Sequence, residues 1–305
     1  MIKLKKISKL LSISLSTVLI MGTLAGCSSQ KSADGGKKIG MVVSTLNNPF
    51  FVSMKEGAEK KAKELGYEIV VLDSQNDAAK ERSNVDDLVQ QGISALIINP
   101  TDSDAVANSI VVANDNKIKV ITVDRKANGG EVVCHVASDN IKGGEMAAEF
   151  ILEKLKGKGN LVELQGIPGA SATRERGQGF HNIVDKKAGV KVVASQAADF
   201  DRQKGLTVTE NIIQSTPKFD AIFTHNDEMA LGAVKAVKAA NKDVIIVGFD
   251  GNDDAKAAVK SGDLAATIAQ KPALMGSVAL ENAVKIAKGE TVQKEVPVEL
   301  ELIKK

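Results

Sequence analysis

The sequence predicts an α/β fold in which parallel sheets, covered by helices on both faces, are divided between two domains. Apolar runs alternate with amphipathic patterns from one end to the other. Alternation of that kind implies parallel strands joined by crossover helices. The 305 residues are 43% apolar and 26% charged, an ordinary globular composition. About 270 of them follow the leader described below, which suits two domains better than one. There is also a weak internal repeat. "ALIINPTDSDAV" (95–106) and "AIFTHNDEMAL" (221–231) share an apolar strand, a carboxamide, an aspartate and a helix. "KVITVDR" (119–125) and "VIIVGFDG" (244–251) both end strands in Asp. Two similar half-proteins facing one another explain this, as does chance among apolar runs.

Residues 1–26 read as a leader, with four lysines, an apolar run and then small residues. Leu24-Ala25-Gly26-Cys27 resembles a bacterial lipobox, in which Cys27 becomes the lipidated first residue. The alternative is an ordinary signal peptide cleaved without lipid. Residues 27–37 are polar and rich in Gly and Ser, as a flexible tether should be. Removing 1–26 takes away four lysines and no acids, so the formal charge falls from +2 to −2. No basic block then remains to suggest nucleic acid, and no second apolar run reaches membrane-spanning length. With Cys27 lipidated, Cys134 stands alone and no disulfide is expected.

Strands are expected at 39–43, 67–72, 95–98, 118–123, 132–136, 160–164, 190–194, 220–223, 244–249 and 264–268. Helices are expected at 50–65, 77–91, 103–116, 141–156, 174–187, 202–214, 227–240, 252–261 and 272–287. In the first helix Phe51, Met54, Ala58, Ala62 and Leu65 recur three or four apart and form one apolar face, and Gly66 stops it.

In open parallel sheets ligands bind beyond the carboxyl ends of the strands. The first half places Asn47, Asn48, Phe50, Phe51, Asn99, Asp124 and Arg125 there. The second places Gln165, Arg174, Arg176, Phe200, Asn226, Asp250 and Gln270 there. Carboxamides donate and accept, carboxylates accept, and guanidinium donates in a fork. A polyhydroxylated ligand uses all three, and its C–H faces suit phenyl rings. In "STLNNPFF" (44–51), Pro49 and the Asn pair would fix a turn that presents two rings to a sugar, in a chain with only eight Phe, one Tyr and no Trp. The plainer alternatives are that Phe51 begins a helix core, that Asn99, Asp102 and Asn226 are helix caps, and that Asp124–Arg125 is a solvated pair.

Other chemistries fit poorly. "RGQGFHN" starts like a dinucleotide fingerprint but ends in Asn182, and no phosphate-loop or nucleophile-elbow pattern occurs. "DGNDDAKAAVKS" (250–261) lacks the Gly and Glu of a calcium loop. His135, His181 and His225 have no ligand spacing, so neither metal nor cofactor is expected.

Beyond these local readings, "VVSTLNNPFFVSMKEGAEKKAKELGY", "INPTDSDAV", "ITVDR", "RERGQGF", "ADFDRQKGL", "NDEMALGA", "VGFDG" and "LAATIAQ" resemble the D-ribose-binding proteins of bacterial ABC transporters, nearly colinearly from residue 38 onward. The resemblance implies two Rossmann-like lobes joined by a three-segment hinge, the type I periplasmic-binding arrangement. One lobe would span 38–138 plus 271–299 and the other 139–270 plus 300–305. It implies a ribose site of Asn48, Phe50, Phe51, Asn99, Asp124, Arg125, Arg176, Phe200, Asn226, Asp250 and Gln270, with Asn47, Gln165 and Arg174 one layer behind. It also implies a non-enzymatic monomer that hands ribose to a membrane permease, with a chemoreceptor as a further candidate partner. The lipobox adds anchoring on the outer face of the cell membrane. Cys134 stands where the family more usually has serine and reads as buried and inert. A repressor of similar fold would need an N-terminal helix-turn-helix where the leader stands. A sugar hydrolase would need a free acid and base, whereas each candidate aspartate has an arginine nearby to keep it ionised.

Overall fold

The computed structural model describes residues 37–216 and 218–305. The leader, the lipidation at Cys27 and residues 27–36 of the tether lie outside the described residues. The first sheet contains β1 (Lys38–Val43), β2 (Glu68–Asp73), β3 (Ala95–Ile98), β4 (Lys119–Val123), β5 (Val132–Ala137) and β11 (Glu295–Pro297), in the order β2-β1-β3-β4-β5-β11. The second contains β6 (Gly159–Gln165), β7 (Val190–Ala197), β8 (Ala221–Thr224), β9 (Ile245–Asp250), β10 (Ala266–Ala269) and β12 (Glu301–Lys304), in the equivalent order β7-β6-β8-β9-β10-β12. Each sheet with its helices forms one lobe, and the matching orders are the architecture that the internal repeat suggested.

Helices α1 (Pro49–Leu65), α2 (Ala78–Gln90), α3 (Val106–Asp115) and α9 (Pro272–Ala287) cover the first sheet. Helices α4 (Asn140–Lys154), α5 (Ser171–Val184), α6 (Arg202–Ser215), α7 (Asp227–Ala239) and α8 (Asp253–Ser261) cover the second. Strands buried on both faces explain the unbroken apolar runs. Met41 and Val43 face α1 and α9, while Val42 between them packs with Leu88 and Ile110 on the other side. Helices α4 and α5 touch through glycine. A methyl on Gly144 would overlap the carbonyl of Arg176, and one on Gly179 would overlap that of Ile141. That close crossing fixes the helix carrying Arg176.

Three departures from the sequence expectations have physical causes. Helix α3 starts at Val106 instead of 103 because Asp102 Oδ1 takes the amides of Asp104 and Ala105 at 2.9 and 2.8 Å, holding a turn. Strands β11 and β12 were not expected. They are three and four residues long, and their exposed glutamates and lysine mask any apolar run. Strand β12 also runs antiparallel to β10. The chain leaves the first sheet at the carboxyl end of β11 and reaches the second after only Val298, Glu299 and Leu300. Carboxyl ends of both sheets meet at the same cleft, so a strand entering from there must run away from it. The chain also passes between the sheets at Ser138–Asp139 and at Gln270–Lys271.

Candidate functional site

In the first lobe the turn after β1 is set by Asn48, which caps α1 by accepting from the Phe50 amide at 3.0 Å, with Pro49 at the first helical position. Phe50 and Phe51 meet edge to face with centroids 5.2 Å apart. Both rings are 3% exposed and belong to the lobe's core cluster, so they serve the fold and the cleft together. At the end of β3, Asn99 Nδ2 donates to the Val123 carbonyl and to Asp124 Oδ2, both at 3.1 Å. Beyond β4 Asp124 adopts φ 63°, and Arg125 Nε lies 3.7 Å from its carboxylate. The Arg125 guanidinium carbon sits 5.2 Å from the centroids of both Phe51 and Phe200, so rings of opposite lobes flank it.

The second lobe secures its arginine more heavily. Arg176 Nε donates to Asn140 Oδ1 at 2.8 Å, Nη1 donates to the His225 carbonyl, and the guanidinium carbon lies 3.8 Å from the Phe249 centroid. Nη1 also lies 3.5 Å from Asp250 Oδ1, which accepts from Gln270 Nε2 at 2.9 Å. Asn226 Oδ1 caps α7 through the Met229 amide, and its Nδ2 donates to the Phe200 carbonyl at 3.2 Å. Asp250 at φ 120° and Phe200 at φ 59° join Asp124 in the left-handed region, where strain concentrates at functional sites.

The two halves converge on a small cavity of about 10 Å³ lined by Asn48, Phe50, Phe51, Asp124, Arg125, Ala172, Arg176, Phe200, Asn226 and Asp250. That is about the room of a single water, so a larger ligand fits only as the lobes part. Asn99 and Gln270 stand directly behind the two aspartates instead of on the wall. Two aspartates against two arginines leave the lining balanced in formal charge. Burial nevertheless pushes the carboxyl of Asp124 up and that of Asp250 well up, against the pull of the guanidinium groups, and pushes Arg125 down. Arg125 Nε and Gln270 Oε1 are buried without hydrogen-bond partners, one a donor and the other an acceptor. A hydroxyl can serve either.

A family model described as "Periplasmic binding protein domain" matches residues 39–291. The chain belongs to the periplasmic binding protein family. Among curated relatives, the ribose import binding protein of Haemophilus influenzae is 55% identical over 94% of this chain and 98% of its own length. That of Bacillus subtilis is 54% identical over 89% of each. Among solved structures, the Caulobacter myo-inositol binding protein bound to myo-inositol superposes with a TM-score of 0.85 at 34% identity, covering 88% of this chain and 93% of that one.

This binding protein is in a closed arrangement. The Ser103 amide donates to the Gly169 carbonyl at 3.0 Å, and the Lys126 amide donates to Ser171 Oγ at 2.8 Å, both between lobes. Of the residues expected one layer behind, Arg174 donates to the carbonyls of Pro168 and Gly169, Gln165 donates to Glu163, and Asn47 is exposed beside the cleft. Sequence reasoning missed Ala172, whose small side chain carries no signal, and Asn140, whose contact with Arg176 spans 36 positions. It also passed over Glu163, a fully buried charge inside the apolar run "LVELQ", which was a usable signal. Cys134 is buried, and burial pushes its thiol up to about 11, as an inert residue requires. Among the described residues no group of three or more His, Cys, Asp or Glu side chains is arranged to hold a metal, and no helix is long and apolar enough to cross a membrane.

Proposed function

We propose that this protein captures D-ribose between two closing lobes and delivers it to the permease of an ABC transporter, without catalysis. The observation that carries the reading is the charge-balanced cleft lined from both sheets, with the unpartnered Arg125 Nε on its wall and the unpartnered Gln270 Oε1 behind Asp250. The ribose import names of relatives at 54–55% identity choose the sugar. The binding set is Asn48, Phe50, Phe51, Asn99, Asp124, Arg125, Arg176, Phe200, Asn226, Asp250 and Gln270, with Asn99 and Gln270 acting in part by orienting Asp124 and Asp250. The lobes comprise 38–138 plus 271–299 and 139–270 plus 300–305, and they open about the three interlobe passages. Ribose bridging both lobes favours closure, and the closed surface is what the permease reads. The protein is a monomer held by lipid at Cys27 on the outer face of the membrane, and a chemoreceptor is a second reader of the closed form. Calorimetry against a pentose and hexose panel tests the specificity, with ribose expected to bind at micromolar concentration or tighter. Stronger binding of myo-inositol or allose than of ribose would overturn it. Fatty-acid labelling of wild type against Cys27→Ser tests the anchor: an unlabelled wild type released into the medium removes it.

A further inference from the structure

Asp227 is fully buried, has no hydrogen bond or ion pair to a cationic side chain among the described residues, and is absent from the cavity lining. It is the first residue of α7, immediately after Asn226, where the helix N-terminus favours negative charge. Its Oδ2 accepts from the Asn252 amide at 2.8 Å, and its Oδ1 accepts from Thr267 Oγ1 at 2.7 Å. The same Thr267 oxygen accepts from the Gly251 amide at 3.3 Å. The two amides after Asp250 are thus both tied down, one by Asp227 and the other by its hydroxyl partner. Asp250 itself holds φ 120°, a conformation that a non-glycine residue keeps only where its surroundings over-determine it. Gly248 in β9 completes the arrangement, since a methyl there would overlap Asp227 Oδ1. The strand therefore lacks a side chain where the carboxylate must approach.

We propose that Asp227, with Thr267, is a positioning residue: it clamps the turn at 250–252 so that the Asp250 carboxylate is held toward the cavity, and it joins that turn to Asn226. This rests on the reading of the cavity as a sugar site. The clamp works through hydrogen-bond acceptance more than through charge. Burial pushes the Asp227 carboxyl up to about 7, so the neutral form is accessible near neutral pH. Asparagine can imitate it. Its oxygen accepts from the Asn252 amide, and its amide donates to Thr267 Oγ1 once that hydroxyl turns its own hydrogen away.

The test combines ribose calorimetry with amide hydrogen exchange on the unliganded protein. Asp227→Ala is expected to weaken ribose binding about 10- to 100-fold, because it strands buried donors beside the Asp250 carboxylate of the site. It is also expected to speed exchange at Gly251 and Asn252. Asp227→Asn is expected to stay within about threefold of wild type and keep both amides protected. An alanine variant that binds like wild type, or an asparagine variant as weak as the alanine one, overturns the proposal. If Asp227→Ala does not fold, Thr267→Val carries the test: wild-type affinity and exchange in that variant also overturn the clamp. If wild type itself fails to bind ribose, the sugar reading falls, while the exchange comparison at 251 and 252 still decides the role of Asp227.

Discussion

In the first lobe Asn99 donates to Asp124, which pairs with Arg125; in the second Gln270 donates to Asp250, which pairs with Arg176. The parts match, but their support differs. Arg125 follows its aspartate on one turn, donates through Nη1 to the Pro100 carbonyl at 3.2 Å, and leaves Nε without a hydrogen-bond partner among the described residues. Arg176 comes from a helix and is tied to Asn140, to the His225 carbonyl and to the Phe249 ring. Each lobe also keeps a fully buried glutamate behind its arginine. Glu81 accepts from the Thr101 amide at 2.7 Å and leaves Oε1 unpartnered. Glu163 accepts from His225 Nε2, Ser195, Gln165 and His181. The second lobe fixes its arginine from within, and what it leaves open near the site is the Gln270 oxygen. The first leaves a guanidinium donor, Arg125 Nε, for a ligand or the closing lobe to complete.

The aromatics offer the largest break in this comparison. Phe50 belongs to the first lobe's core, whereas Phe200 is half-buried and only packs against the second. Phe50→Ala should cost about 3–5 kcal/mol of stability as well as affinity. Phe200→Ala should mainly weaken ribose binding. Urea unfolding and calorimetry on both variants check this, and a Phe50→Ala protein within about 1 kcal/mol of wild-type stability would contradict the core assignment.

Next come the arginines. Arg125→Lys keeps charge but loses the planar fork between two rings, and should cost about 2–4 kcal/mol of ribose affinity, roughly 30- to 1000-fold. The loss should appear in the dissociation rate, since Arg125 meets Phe200 only when the lobes close. Arg176→Lys should instead lower affinity and apo stability together, because it abandons Asn140 and His225 in the unliganded protein too. Stopped-flow dissociation with apo melting separates the two, and equal melting shifts would erase the difference between the halves.

The second lobe's glutamate sharpens the contrast in acid. Burial pushes the carboxyl of Glu163 up, but donation from His225 and Ser195 and the charge of His181 outweigh it and hold it below its ordinary value of 4.5. His225 is buried and pushed toward the neutral form, so its Nε2–H is the donor and its unpartnered Nδ1 carries no proton. A depressed carboxyl contributes stability above its ordinary value of 4.5 and loses it as pH falls through its folded value. Wild type should therefore lose more stability than Glu163→Gln between pH 5 and pH 3. Parallel acid limbs for the two proteins would show that Glu163 does not titrate this way.

Strand ends and turns were legible because their chemistry is local. Asn48 and Pro49 announce a capped turn, and Asp124, Arg125 and Asp250 interrupt apolar runs where a sheet must end. The fold class was legible for the same reason, in doubly buried strands such as "MVV" in β1. What stayed hidden depends on distance along the chain. Nothing near Asn140 indicates Arg176, nothing near Asp227 indicates the backbone of Asn252, and the exposed edge strands β11 and β12 have too few apolar residues to register.

The smallest expected effect concerns Glu81, and its sign is opposite to that of Glu163. Burial pushes this carboxyl up to about 7, opposed by the Thr101 donors and by Arg125. One firm backbone donor does not replace the water lost by a fully buried carboxylate, whereas the four donors around Glu163 do. The folded protein thus binds a proton more tightly at Glu81 than the unfolded chain, whose glutamates titrate near 4.5. The stabilising contribution is complete below 4.5 and is lost as pH rises through 7, with about 2 kcal/mol of that change falling between pH 5 and pH 7. Glu81→Gln cannot ionise, and its side-chain oxygen can still accept from Thr101. The variant should lose less stability than wild type across that interval and approach or exceed it at pH 7. Urea midpoints at pH 5, 6 and 7 measure the slope. If Glu81→Gln instead falls further behind wild type as pH rises, the ionised glutamate is stabilising beside Arg125, and the two lobes treat their buried glutamates alike.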